Sequence, residues 1–221
     1  IVACRTAEEV DALYKALSDG GADLMPLGAY PFSPHYAWVQ DRYGLTWQLM
    51  LTEGAPPAQK ITPHLLFSGA AKGKAAQAVH FYQDVFRDAG SEQVQQDATI
   101  ESGSQDSKPA LLHFRLLGQP FSAMDHGFDA DFTFNEAFSL MVYCDTQAEI
   151  DKYWEKLSHV PEAEACGWLK DPFGVSWQIV PRRMGEMMAT GTDEQIQRVE
   201  QAFLPMKKFD IATLEQAFAN A

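Results

Sequence analysis

Two glutamines occupy strand-like runs where a buried strand would favour an aliphatic residue: Gln178 in KDPFGVSWQIV and Gln48 in QDRYGLTWQLM. An amide at such a position has two uses. It can bond a neighbouring strand, because a buried amide left unpaired costs about 1–3 kcal/mol. It can also offer a hydrogen bond to a small molecule lying on the sheet. His64 in ITPHLLF and His113 in ALLHFRLL also stand in strand-like runs. An imidazole there can ligate a divalent transition metal or bond a neighbouring side chain. His80 falls on a helical stretch facing solvent, and His35, His126 and His159 read as loop residues. Cys4, Cys144 and Cys166 form no CxxC pair, so they read as reduced thiols acting as small buried apolar groups, which fits a cytoplasmic protein. Nucleophile elbows are absent, and SGAAKGKAA is a weak match lying outside the parallel-sheet context of a dinucleotide or methyl-donor turn.

The elements that position these residues are repeated. VACRTAEEVDALYKALS, starting at Val2, matches VYCDTQAEIDKYWEKLS, starting at Val142, and pairs Cys4 with Cys144 and Thr6 with Thr146. WVQDRYGLTWQLM matches WLKDPFGVSWQIV, with Trp38 opposite Trp168, Asp41 opposite Asp171 and Gln48 opposite Gln178. Each copy reads strand, helix, hairpin. Thr6 and Thr146 are helix N-caps, with Glu9 and Glu149 three positions on as in a capping box. Asp-x-aromatic-Gly predicts a tight turn, since Asp can bond its own backbone and Gly accepts positive φ. The first copy is longer between its blocks by about ten residues, which reads as a loop.

Between the copies, ITPHLLF predicts a strand and GKAAQAVHFYQDVF an amphipathic helix with Ala78, Phe81, Tyr82 and Phe86 on its apolar face. QVQQDATIE, ALLHFRLL and PFSAMD predict three strands, with a short turn at Gly118-Gln119 between the last two, and SGSQDSKP a polar loop. Residues 61–125 and 138–181 thus each read as strand, helix and three strands. The tail from Arg182 is helical and interrupted at Pro205.

The net charge of −13 over 221 residues repels phosphate backbones and argues against nucleic acid as a partner. No apolar run is long enough for a membrane helix, so no membrane role is expected. Strand alternation then assigns faces. Val175, Trp177 and Ile179 should press on helices, with Ser176, Gln178 and Val180 on the concave side. Leu45, Trp47 and Leu49 should face outward, and Thr46, Gln48 and Met50 inward. Thr62, His64 and Leu66 share one face, as do Ser139, Met141 and Tyr143.

Strand–helix–three-strand units in pairs, together with the stretches ITPHLLF…AVHFYQDVF, FTFNEAFSLMVYCDTQAEIDKYWEKL, CGWLKDPFGVSWQIVPRRM and FLPMKKFDIATLEQAF, resemble the PhnB-like branch of the vicinal oxygen chelate superfamily. That superfamily holds glyoxalase I, bleomycin-resistance proteins and extradiol dioxygenases, and the branch carries the label 3-demethylubiquinone-9 3-methyltransferase. The resemblance implies an α+β fold of paired βαβββ modules with curled mixed sheets, in tandem, the first module incomplete. Residues 1–52 would be the second half of a first module, 53–60 a linker, 61–182 a complete module and 183–221 a helical tail. Because the chain opens at the start of a second half, the expectation is that this half finds its partner in another molecule or in sequence outside this chain.

The resemblance also implies the site. Metal-using members set ligands on the first and last strands of each half, and here those positions are His64, a residue near Ser122 or Met124, Ser139 and Gln178. His64 and His113 are the candidate ligands, and no complete metal site is expected, since Gln178 and Ser139 stand where charged or imidazole ligands would. The expected function is binding of a small, partly apolar molecule, with His64, Gln178 and Ser139 as polar contacts and Met141, Tyr143, Phe121 and Leu66 as the wall. The alternative is a metal-dependent lyase, isomerase or dioxygenase. Methyl transfer is implied by the label alone. No cofactor is expected, a divalent metal being the secondary expectation, and the protein is expected to be a homodimer.

Overall fold

The computed structural model describes residues 1–52, 54, 59–87, 99–101, 111–128 and 130–219. The chain is α+β, built from three small mixed sheets and six helices among the described residues. It divides into two compact units that interleave in sequence.

The first unit begins with strand β1 (Val2–Cys4), helix α1 (Ala7–Ser18), and strands β2 (Ala22–Tyr30), β3 (Ser33–Gln40) and β4 (Thr46–Leu51). Helix α1 starts where the sequence predicts, with the Thr6 hydroxyl accepting from Glu9 N–H. Glu9 reaches back to Arg5 N–H at 2.8 Å, one residue beyond the N-cap. Val10 lies under α1 against Val2, Cys4, Ala37, Val39 and Leu49, which together form a closed apolar core. The sheet order is β1-β4-β3-β2, with β1 parallel to β4.

The ten extra residues of the first copy are not a loop. They build β2 and its pairing with β3, with register shifts along the pair. Pro26 and Gly28 lie in β2, and such an interrupted strand fits a sheet edge. His35 accordingly lies in β3 rather than in a loop, and its Nε2 sits 2.6 Å from Asp11 Oδ1.

Strand β5 (His64–Phe67) leads from the first unit into the second at Leu65. Helix α2 (Ala75–Val85) belongs to the second unit. Strands β6 (Thr99–Glu101), β7 (Leu111–Leu116) and β8 (Gln119–Asp125) complete the sheet β5-β8-β7-β6. Ser122 N–H donates to Pro63 O and His126 N–H to Phe67 O, the same offset on both chains, so β5 and β8 run parallel. The β7–β8 turn is Leu117-Gly118 rather than Gly118-Gln119. Both residues have positive φ, 48° and 81°, as a two-residue hairpin of this hand requires. Residues 102–109, read as a loop, and most of the QVQQDATIE stretch lie outside the described residues.

The second unit continues with β9 (Ser139–Cys144), α3 (Gln147–Leu157), β10 (Trp168–Lys170) and β11 (Ser176–Pro181), in the order β10-β11-β9. Here the capping box is complete, Thr146 and Glu149 each bonding the other's backbone. Only two strands follow α3. A turn of 3-10 helix at Pro161–Ala163 occupies the place of a third, because VPEAEACG is short and carries proline at its second position. Helices α4 (Arg182–Thr190), α5 (Asp193–Phe203) and α6 (Ile211–Ala219) form the tail, with a break after Leu204 at Pro205. Met187, Val199, Phe209 and Leu214 are its core. It docks through backbone bonds from Cys166 and Gly167 N–H to Met206 and Lys207 O, and through Gln147, whose side chain accepts from Ile211 N–H at the start of α6.

Candidate functional site

In the first unit two sheets meet edge to edge. Ala3 N–H donates to Lys60 O, Thr62 N–H donates to Ile1 O, and Val2 faces Ile61 in an antiparallel bridge. The first copy is therefore joined to the half that begins at Ile61, within this chain. Strands run β2-β3-β4-β1, then residue 61 leading into β5-β8-β7-β6.

Register places side chains on this sheet. Val2 and Leu49 turn to the helix side, where α1 covers them. The opposite face carries Trp38 with Gln48 and Tyr36 with Met50, each pair directly across from one another. On the other half, His113 lies across from Ser122. His64 joins them: its Nδ1 is 2.9 Å from Ser122 Oγ.

The His64 ring is half-buried, yet its Nε2 is fully covered and has no hydrogen-bond partner among the described residues. Burial pulls the imidazole down to about 3, helped by the Ile1 amino group and His113. The ring is neutral at neutral pH, with one nitrogen bonded to Ser122 and the other facing nothing that bonds it. Phe121 turns to the opposite face of β8, where it stacks on Phe114 at 5.6 Å between centroids, so it backs the wall rather than lining it. Leu66, two residues past His64, is half-buried.

The remaining expected contacts lie in the second unit. Gln178 Nε2 donates to Ser139 Oγ at 2.8 Å, across the parallel β9–β11 pair. That is the strand-bridging use of the amide. Met141 lies beside Gln178 in register, and Met141 and Tyr143 are exposed on β9. The Arg182 guanidinium sits 5.4 Å from the Tyr143 ring centroid and bonds Asp145. Ser176, on the same alternating row as Gln178, has a buried hydroxyl with no partner among the described residues.

A divalent metal needs three or more donors held together. His64 Nε2 is one, and among the described residues no group of three His, Cys, Asp or Glu side chains gathers. The described residues do not fit a metal centre. Nor are the buried thiols poised nucleophiles: burial pushes Cys144 up to about 12 and raises Cys4 as well.

One polar centre escaped the reading of the sequence. Asp171, in the second Asp-x-aromatic-Gly turn, is 1% exposed. Its carboxylate accepts from Phe173 and Val175 N–H, from Trp177 Nε1 at 2.9 Å and from the Tyr82 hydroxyl at 2.7 Å. Burial raises its pKa above the usual carboxylate value. Three of the four bonds recur at Asp41, with Tyr43, Leu45 and Trp47. The Tyr82 bond is particular to Asp171, and the signal that could have found it was a tyrosine on the apolar face of a helix.

The family model for 3-demethylubiquinone-9 3-methyltransferase matches residues 1–50 and 59–180, which is most of the chain. The chain belongs to this family. The match takes in the first copy and both later halves, and stops before the tail. No curated protein matches. Among solved structures, the PhnB protein of Bacillus cereus is 33% identical, over 56% of this chain and 99% of that one, with a TM-score of 0.44. A Pseudomonas aeruginosa protein is 18% identical over 56% and 98%, with a TM-score of 0.39. An Arabidopsis thaliana gene product is 22% identical over 55% and 98%, with a TM-score of 0.32. Among the described residues of this family member no helix is long and apolar enough to cross a membrane.

Proposed function

We propose that the chain binds a small, partly apolar molecule against the sheet face that carries His64, with Nε2 of that residue as the polar contact. The observation behind this is the covered, unpartnered Nε2. Buried polar atoms are paired in the great majority of cases, and an unpaired one costs about 1–3 kcal/mol. A ligand group that displaces the side chains covering Nε2 and bonds it recovers that cost, while Ser122 holds the ring through Nδ1. Being neutral, the imidazole suits a hydroxyl, carbonyl or amide better than it suits a carboxylate. Phe121, on the opposite face of β8, stiffens that strand from behind. Gln178, Ser139, Met141 and Tyr143 would serve the equivalent face of the second unit's sheet, with Met141 and Tyr143 exposed and available there.

Methyl transfer rests on the family's description alone. The usual methyl-donor site lies at a Gly-rich turn of an extended parallel sheet. The sheets here are mixed, with β1–β4 and β9–β11 as parallel pairs beside antiparallel neighbours. The test is a thermal-shift screen of small phenols and amides against the whole chain, with ring-nitrogen NMR of any compound that binds. The expected hit moves the His64 Nε2 resonance and is lost in His64→Phe. Binding that survives His64→Phe unchanged would remove the reading.

A further inference from the structure

The face of the second unit's sheet that carries Gln178 has a second polar row. Register sets Lys170 of β10, Ser176 of β11 and Ser139 of β9 side by side at one end of that sheet. Ser176 is 1% exposed, and its hydroxyl meets no partner among the described residues. Ser139 Oγ accepts from Gln178 Nε2, which leaves the Ser139 hydrogen to donate elsewhere. The Lys170 ammonium pairs with the carboxylate of Glu136, which stands just before β9. The ion pair therefore reaches from one edge strand toward the other, at the end of the sheet where Ser176 lies. The Glu136 side chain is 64% exposed and that of Lys170 23%. The cation is held against the sheet, and its anion is the part that water reaches.

We propose that this row binds the carboxylate of a small, partly apolar acid, and that Glu136 is the chain's own occupant of the ammonium until the ligand replaces it. The proposal rests on the reading that this face of the second unit takes a ligand, and adds the ligand's class. Two hydroxyl donors and one ammonium match the two oxygens of a carboxylate, which accepts hydrogen bonds more strongly than a neutral group does. The ligand reaches Ser176 as the Lys170–Glu136 pair opens, and the buried hydroxyl gains the partner it lacks. An ion pair with so exposed a carboxylate holds weakly, so one carboxylate exchanges readily for another. A phosphate would bring up to two charges against a single lysine, in a chain of net charge −13, and is disfavoured. Met141 and Tyr143, exposed further along β9, offer apolar surface to the rest of the molecule.

Titration of the whole chain with benzoate, followed through the backbone amide resonances of Ser176 and Gln178, tests this. Saturable binding is expected. Lys170→Met and Ser176→Ala should each weaken it roughly tenfold or more in Kd. Glu136→Gln should tighten it by about threefold, a gain that a damaged fold cannot produce. Benzamide, which lacks the charge, should not compete, and inorganic phosphate should bind more weakly than benzoate. His64→Phe should leave benzoate binding unchanged, so a failure of this site and a failure of the His64 reading are told apart. The proposal is overturned by the absence of a saturable shift, by equal binding in Lys170→Met and the unaltered chain, by an unchanged Kd in Glu136→Gln, or by phosphate binding tighter than benzoate.

Discussion

The Tyr82 hydroxyl donates to the Asp171 carboxylate at 2.7 Å, and both groups are buried. The bond ties α2 to the β10–β11 turn across 89 residues of sequence. Around it, Tyr82 and Phe86 pack on Trp177, and Phe86 on Tyr153. Tyr82→Phe keeps the ring and removes one donor to a charged acceptor, so it should cost about 1.5–3 kcal/mol. Asp171→Ala strands four donors at once and should cost about 4 kcal/mol or more. The same change at Asp41, which lies on an exposed turn, should cost clearly less. Urea unfolding of the three variants checks the order. Equal costs at Asp41 and Asp171 would mean that burial is not what sets them apart.

Acid should act on two buried groups in opposite directions. For His64 the folded value is about 3 against the ordinary 6.5. The unfolded chain therefore binds the proton first, and stability present above pH 6.5 is lost as the pH falls toward 3. Asp171 is raised, so the folded state holds its proton more tightly than the unfolded chain does. Its contribution to stability declines as the pH rises from the ordinary 3.8 through its folded value. Stability measured from pH 3 to 7 should rise less steeply in His64→Gln, and Asp171→Asn should steepen the rise in the lower part of that range. A His64→Gln curve parallel to that of the unaltered chain would show that His64 is not a buried neutral ring.

Much of this was legible in the sequence, and what was not has a physical reason. The Asp-x-aromatic-Gly turns are local, so Asp41 and Asp171 showed their backbone bonds through spacing alone, and Gly44 and Gly174 have the positive φ that the motif requires. Alternation correctly set Trp177 and Ile179 on the buried side of β11 and left Gln178 half-exposed. The alternating pattern did not reveal β2, because ADLMPLGAY mixes proline, glycine and apolar residues without a period. The pairing of β1 with residues 60–62 uses backbone atoms that every residue has, so nothing in the side chains announced it. Phe121 and Ser122 are neighbours in β8 and so lie on opposite faces, which puts Phe121 behind the wall.

Gln178 and Ser139 should behave as a modest structural pair. The bond is half-exposed, and its net worth should be about 0.5–1.5 kcal/mol. A double-mutant cycle with Gln178→Leu and Ser139→Ala isolates it. Coupling near zero would free the amide for a contact of another kind, and would make Gln178 the better place to look for a ligand in the second unit.

The tail should detach from the second unit on the loss of one glycine. Gly167 has φ of 81°, and a Cβ added there would stand 2.4 Å from Phe209 Cε2 and 2.9 Å from Ile179 O. Phe209 belongs to the tail core, and its carbonyl accepts from Gln147 beside the start of α3. The Ile179 oxygen is fixed in the sheet, so the phenyl ring must give way. Gly167→Ala combines overpacking with a left-handed backbone and should cost about 3 kcal/mol. The loss should fall on the tail first, because Lys207–Glu164 and Lys208–Asp151 are partly exposed pairs too weak to hold it alone. Limited proteolysis should then cut between Arg182 and Phe209 in Gly167→Ala and spare the unaltered chain. Cleavage at the same rate in both would show that the tail is held by contacts other than Phe209 against Gly167.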